Sequence, residues 1–158
     1  MDGTKERAEA LAHIARVREL AGFFCSALDE SVKSHDASKL ESPEFEEFME
    51  RTAQLKGMTY GSPEYKKQLD EMKPVLTHHY QNNRHHPEHF EDGVAGMTLV
   101  DLVEMFCDWL AAVERHSDGD IFKSIEYNTG RFGLSAQLAS VLGNTAERVF
   151  GRSQERKG

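Results

Sequence analysis

Apolar positions in this chain recur at helical spacing, and strand-like alternation is scarce. Leu11, Ile14, Val17, Leu20, Ala21, Phe24 and Leu28 form one stripe, which predicts one helix, or two in close succession, over about residues 4–33. Ser42 and Pro43 read as N-cap and first helical residue of a second helix running to about Leu55. A glycine-containing loop follows from Lys56, and Ser62–Pro63 repeats the start signal for a helix to about Met72. Pro74 either kinks that helix or begins the next. Pro87, Gly93 and Gly96 mark a further loop. Thr98 is the expected N-cap of a strongly apolar helix over about 99–116. A turn over Ser117–Asp120 and helices over about 120–131 and 135–150, divided near Gly133, complete an all-α bundle. No internal repeat or linker interrupts it, so one domain over 1–158 is expected, with its core at about 10–145.

Helix phase also sorts the polar residues. His13 shares the stripe of Val17, Leu20 and Phe24 and is expected to face inward. Leu69, Met72, Leu76, His79 and Asn83 follow 3-4-3-4 spacing, so His79 and Asn83 face inward while His78 points about 100° away. Asp101, Glu104 and Asp108 share one face of the 99–116 helix, and Asp108 is expected to be the deepest of the three. His35 and Asp36 stand at the inner end of the first apolar segment, where an unpaired charge costs several kcal/mol. The inward polar set is thus His13, His35, Asp36, His79 and Asp108, imidazoles and carboxylates of the kind that suit first-row divalent metals.

Composition narrows the function class. The 158 residues are 39% hydrophobic and 29% charged, as in soluble globular chains. No run of about 18 apolar residues suggests a membrane span, and no apolar leader opens the chain, so a cytoplasmic location is expected. A net charge of −8, with no basic run outside the tail, disfavours duplex nucleic acid. A small phosphorylated substrate remains compatible, because a metal ion overrides a negative global field locally. Cys25 and Cys107 lie in apolar helical patterns and are expected to be buried, reduced thiols. Five of the eight histidines fall within "HHYQNNRHHPEH", residues 78–89, a concentration that single surface histidines do not explain.

The ordered set H…HD…D, with 22 residues between His13 and the His35–Asp36 pair, resembles the HD-domain superfamily of metal-dependent phosphohydrolases. "CDWLAA" at 107–112 is similar to the late apolar helix that carries the final Asp there. "HDASKL", "HHYQNNRHHPEHF" and "MTLVDLVEMFCDWLAA" together resemble an uncharacterised phage and bacterial family of HD-like helical proteins. The superfamily resemblance implies a mainly helical fold and carries four ligand positions onto His13, His35, Asp36 and Asp108. Lys39 stands where the nucleotidase branch has an acid that helps the attacking water, so the pattern departs from that branch. His79 with His85 or His86 could hold a second metal, with Asp36 bridging.

The expected chemistry is phosphohydrolysis of a nucleotide or other small phosphomonoester. One or two divalent ions (Mn, Fe, Co, Zn or Mg) would lower the pKa of a coordinated water toward ~7. Lys39, Lys123 and Arg131 are candidates for stabilising phosphate charge, and Asn83 for bonding substrate or a ligating imidazole. Glu88 and Glu104 are candidate general bases or partners that orient an imidazole. An HD-type di-iron oxygenase and a non-catalytic, metal-stabilised interaction protein are the alternatives, and homo-oligomerisation is open.

Overall fold

The computed structural model describes residues 3–55, 67, 70–115 and 119–151. The protein is all-α, with no strand among the described residues. It divides into two compact units, Met1–His35 and Asp36–Gly158.

The first unit is a single helix, α1 (Thr4–Lys33), followed by a turn that closes on a bond from the His35 N–H to the Val32 carbonyl. No α1 side chain is buried, so the apolar stripe is present but uncovered within the unit. His13 is exposed with it, contrary to the inward placement that the stripe implied.

The second unit opens with a 3₁₀ turn (Ala37–Leu40), entered through Asp36 in the left-handed region at φ 55°. Helix α2 spans Glu44–Leu55, so it starts one residue later than expected, and Pro43 precedes the first helical residue instead of being it. Helix α3 spans Lys73–Asn82, and Pro74 sits in its first turn, so this proline begins a helix instead of kinking one. The loop expected from Lys56, the start at Ser62–Pro63, and Ser117 and Asp118 of the expected turn lie outside the described residues. After α3 the chain makes two 3₁₀ turns, Pro87–His89 and Gly93–Gly96.

Helix α4 (Leu99–Glu114) begins with a capping box. Thr98 Oγ1 accepts from the Asp101 N–H, and the Asp101 carboxylate accepts from the Thr98 N–H and hydroxyl. Asp120 caps α5 (Ile121–Phe132), and Gly133, at φ 64°, ends it in the left-handed conformation that glycine adopts without steric cost. Ser135 caps α6 (Ala136–Thr145), which runs into a π turn over Ala146–Phe150.

The core joins these last three helices. Met105, Phe106, Trp109 and Leu110 of α4 pack with Ile121 and Ile125 of α5, with Leu142 of α6 and with Ala146 of the π turn. Trp109 stacks on Phe132 with the ring planes 7° apart. The opposite side of α4 carries Leu99, Val103 and Cys107 at four-residue spacing, all exposed. Cys107 therefore belongs to an outer face and not to the core as expected, and Cys25 is exposed on the uncovered α1. Both are free thiols. No described helix is long and apolar enough to cross a membrane.

Asp101 is doubly used, because Arg84 grips its carboxylate through Nε (3.0 Å) and Nη2 (3.1 Å) while it serves the capping box. Burial pushes the Asp101 carboxyl up, but Arg84 and Thr98 together outweigh that and hold it below the ordinary value. A carboxyl depressed in the folded state adds stability above its unfolded pKa, about 3.9, and loses it as the pH falls below that value. Asp101→Asn is therefore expected to flatten the acid limb of a stability–pH profile; an unchanged limb would show that Asp101 does not contribute. Thr98→Ala should lower the unfolding free energy by about 1 kcal/mol in urea titrations at constant slope. A loss under about 0.3 kcal/mol would mean the capping box is dispensable.

Candidate metal centre

The site lies in the second unit, where the 3₁₀ turn, the end of α3, the following loop and α4 meet. Asp36 comes from the turn, His79 from the inner face of α3, and His85 and His86 from the loop after it. One ligand atom from each of these four residues lies within 4.8 Å of the other three. His79 Nε2 is 2.9 Å from His86 Nε2 and 3.3 Å from Asp36 Oδ1. His85 Nε2 is 3.5 Å from the same oxygen.

Two of the imidazoles are aimed from behind by buried carboxylates. His79 Nδ1 donates to Glu44 Oε2 at 2.9 Å, and His85 Nδ1 is 3.1 Å from Glu104 Oε1. Each carboxylate accepts a hydrogen bond from Nδ1–H, so Nε2 of both rings carries a lone pair toward Asp36. Glu44 is fully buried and accepts twice more, from His78 Nδ1 at 2.8 Å and from the Ser38 hydroxyl at 2.9 Å. Burial pushes its carboxyl up, but the bonds from His78, His79 and Ser38 outweigh that and keep it below the usual range. Asn83 completes the cage by donating to Ser38 Oγ (2.7 Å) and to the His79 carbonyl (2.8 Å).

His86 is half-buried between His85, His79 and Tyr80, whose ring centroid is 4.9 Å away. Burial first, then His85 and His79, push its imidazole down to about 3, against the opposing pull of Asp108 and Asp36. It is therefore a neutral imidazole at pH 7, the form that binds metal.

These groups fit a divalent first-row ion. Metal–nitrogen bonds of about 2.0–2.1 Å place tetrahedral ligands roughly 3.3 Å apart, close to the spacings observed. Three imidazoles with carboxylate oxygen suit Zn, Fe, Cu or Ni better than Mg or Ca. Lone pairs facing one another at 2.9 Å repel unless a proton or a cation lies between them. The left-handed backbone at Asp36, uncommon outside glycine, is a local cost of the kind that accompanies functional geometry.

The other expected residues fall into two groups. Lys39 donates to Asp36 Oδ2 at 2.6 Å and lies 5.8 Å from the Phe48 ring centre, with its side chain partly exposed. Asp108 is half-buried, with a carboxylate oxygen within 4.8 Å of one from Asp36. It is shallower than Asp101 and Glu104, both buried, which reverses the expected order on α4. The reason is that Asp101 and Glu104 have dedicated partners, the capping box with Arg84 and His85 respectively. Arg131 is exposed and donates to Glu88 Oε1 at 2.7 Å, so one expected phosphate cation and one expected base are bound to each other. Lys123 is exposed on α5. His35 ends the first unit, half-buried and peptide-bonded to Asp36. His13 sits on α1 roughly 30 Å along the helix from the end that His35 follows, so the structure does not bring these two histidines together.

Glu44 is the residue that the sequence pattern missed. The signal for it is a carboxylate four residues before half-buried Phe48, in the acidic first turn of α2. His78, which the helix phase turns about 100° from His79, is tied to that same carboxylate.

Removing a partner that orients a ligating imidazole typically costs about 10–100-fold in metal affinity. Glu44→Gln is accordingly expected to weaken zinc or cobalt binding by about that factor in a calorimetric titration, and His78→Ala by less. His79→Ala and Asp36→Asn should lose binding at micromolar metal. Unchanged binding in both of these last variants would exclude the four-residue centre.

No curated protein and no solved structure matches the chain. The sequence matches a family of unknown function, DUF5662, over residues 3–148, and the chain belongs to that family.

Proposed function

We propose that this protein is a metal-dependent phosphohydrolase acting on a nucleotide or another small phosphomonoester. The observation that carries the reading is the set of three imidazoles and one carboxylate on a common point, two of the imidazoles held by buried Glu44 and Glu104. A bound divalent ion would supply an acidified water and polarise a phosphoryl oxygen.

The chain's own residues would do the rest. Asp36 and the Nε2 atoms of His79, His85 and His86 would hold the ion. Lys39 bonds the outer oxygen of Asp36 and keeps part of its ammonium exposed, so it can share a phosphate oxygen without leaving its partner. Asp108, beside Asp36 and short of full burial, is the carboxylate best placed to take a proton from an attacking water. Glu104, spent on His85, acts as a positioning residue and not as the base. The resemblance to HD phosphohydrolases supports the same reaction class.

The test is metal analysis of anaerobically purified protein, then a phosphate-release panel over nucleotides and simple phosphomonoesters. Metal-dependent release, lost in His79→Ala, supports the proposal. Iron at two per chain without phosphate release would favour an oxygenase instead. A single tight zinc with no turnover would favour a structural metal. Lys39→Ala should lower kcat/KM by about 100-fold while metal content holds. Unchanged kinetics would remove Lys39 from the phosphate site.

A further inference from the structure

Helix α1 is 30 residues long, about 45 Å, and within its own unit none of its side chains is buried. Its stripe residues Leu11, Ile14, Val17, Leu20, Phe24 and Val32 are each 40–58% exposed. A whole large apolar side chain offers about 150–250 Å², so the stripe leaves on the order of 600 Å² of apolar surface open. That is the top of the range that monomers tolerate uncovered. Two such faces together reach about 1,200 Å², the lower edge of a specific protein interface. The aliphatic stems of flanking Arg and Lys side chains add to it.

We propose that the occupant of this face is the α1 helix of a second copy of this chain, packed antiparallel. The charge distribution selects both the partner and the direction. In Thr4–Arg18, Lys5, Arg7, Arg16 and Arg18 outnumber Glu6 and Glu9 by two. In the other half, Glu19, Asp29 and Glu30 outnumber Lys33 by two. An antiparallel pair sets each positive half on the partner's negative half; a parallel pair sets like on like. Antiparallel pairing is also the arrangement that a two-fold axis through the middle of the helix generates.

The register follows from the stripe. Pairing centred at Glu19 places Ile14 against the partner's Phe24, Val17 against the partner's Ala21, and Ala10 against the partner's Leu28. Large residues then meet small ones at two of the three levels, so the helices approach without gaps. Cys25 lies on one flank of the stripe, beside Leu11 of the opposite helix.

Sedimentation or light scattering of the full chain over a dilution series, with thiol cross-linking, tests this. The expected mass is twice 17.9 kDa. Val17→Glu, which puts a charge at the centre of the stripe, should give the monomer mass with helical circular dichroism and metal content retained. In the antiparallel register the two Cys25 residues lie about 18 Å apart along the axis, so Cys107→Ser alone should form no disulfide-linked dimer. Leu11→Cys added to Cys107→Ser should form one under mild oxidation, because Leu11 and Cys25 are about 21 Å apart within one helix and can pair only between copies. A monomer at every concentration overturns the proposal. So does a Cys25–Cys25 cross-link in Cys107→Ser, which requires parallel helices, or a dimer that survives Val17→Glu.

Discussion

One carboxylate, Glu44, ties together three segments that have few other reasons to stay in register. Its two oxygens take hydrogen bonds from His78 and His79 on α3 and from Ser38 on the 3₁₀ turn, while its own backbone starts α2. A fully buried carboxylate with fewer donors would protonate or let in water. With three it stays ionised and anchors what surrounds it. The anchor decides which nitrogen of His79 faces the cavity, so the electronic character of the site follows from a contact on its far side.

Glu104 repeats this on the opposite wall for His85. The two carboxylates belong to different helices, α2 and α4, and both act through Nδ1. The rings between them are thereby fixed in tautomer and in direction before any cation arrives. Such pre-organisation lowers the reorganisation that binding would otherwise require. Burial first, and then the neighbouring His85 and His79, lower the basicity of His86 strongly, so the third ring also offers a neutral nitrogen.

Much of this was legible in the chain. The 3-4-3-4 spacing turned His79 and Asn83 inward, as found, although Val75 and not Leu76 is the buried apolar residue of α3, and Pro74 marked where that helix starts. Periodicity gives direction around a helix but not depth. Depth depends on partners from distant segments, and so the order of Asp101, Glu104 and Asp108 was misjudged. Arg84 and His85, the residues that draw two of these acids inward, lie 17 and 19 positions upstream and announce nothing about which acid they will meet. Periodicity likewise cannot say what covers a stripe, which is why His13 and Cys25 read as buried while α1 leaves both exposed. Glu44 escaped notice because an acid in a helix's first turn already has an ordinary explanation in the helix dipole.

The left-handed backbone at Asp36 makes this position overdetermined. Two separate demands meet in one residue: a short polar side chain that tolerates positive φ, and a full negative charge at a fixed reach. Asparagine satisfies the first and fails the second, and glycine supplies the backbone freedom but no side chain. Glutamate carries the charge but adds a methylene and a poorer fit to that backbone. The turn is therefore a narrow passage in the sequence space open to this fold. A lineage could leave aspartate at 36 only by rebuilding the turn and the centre together.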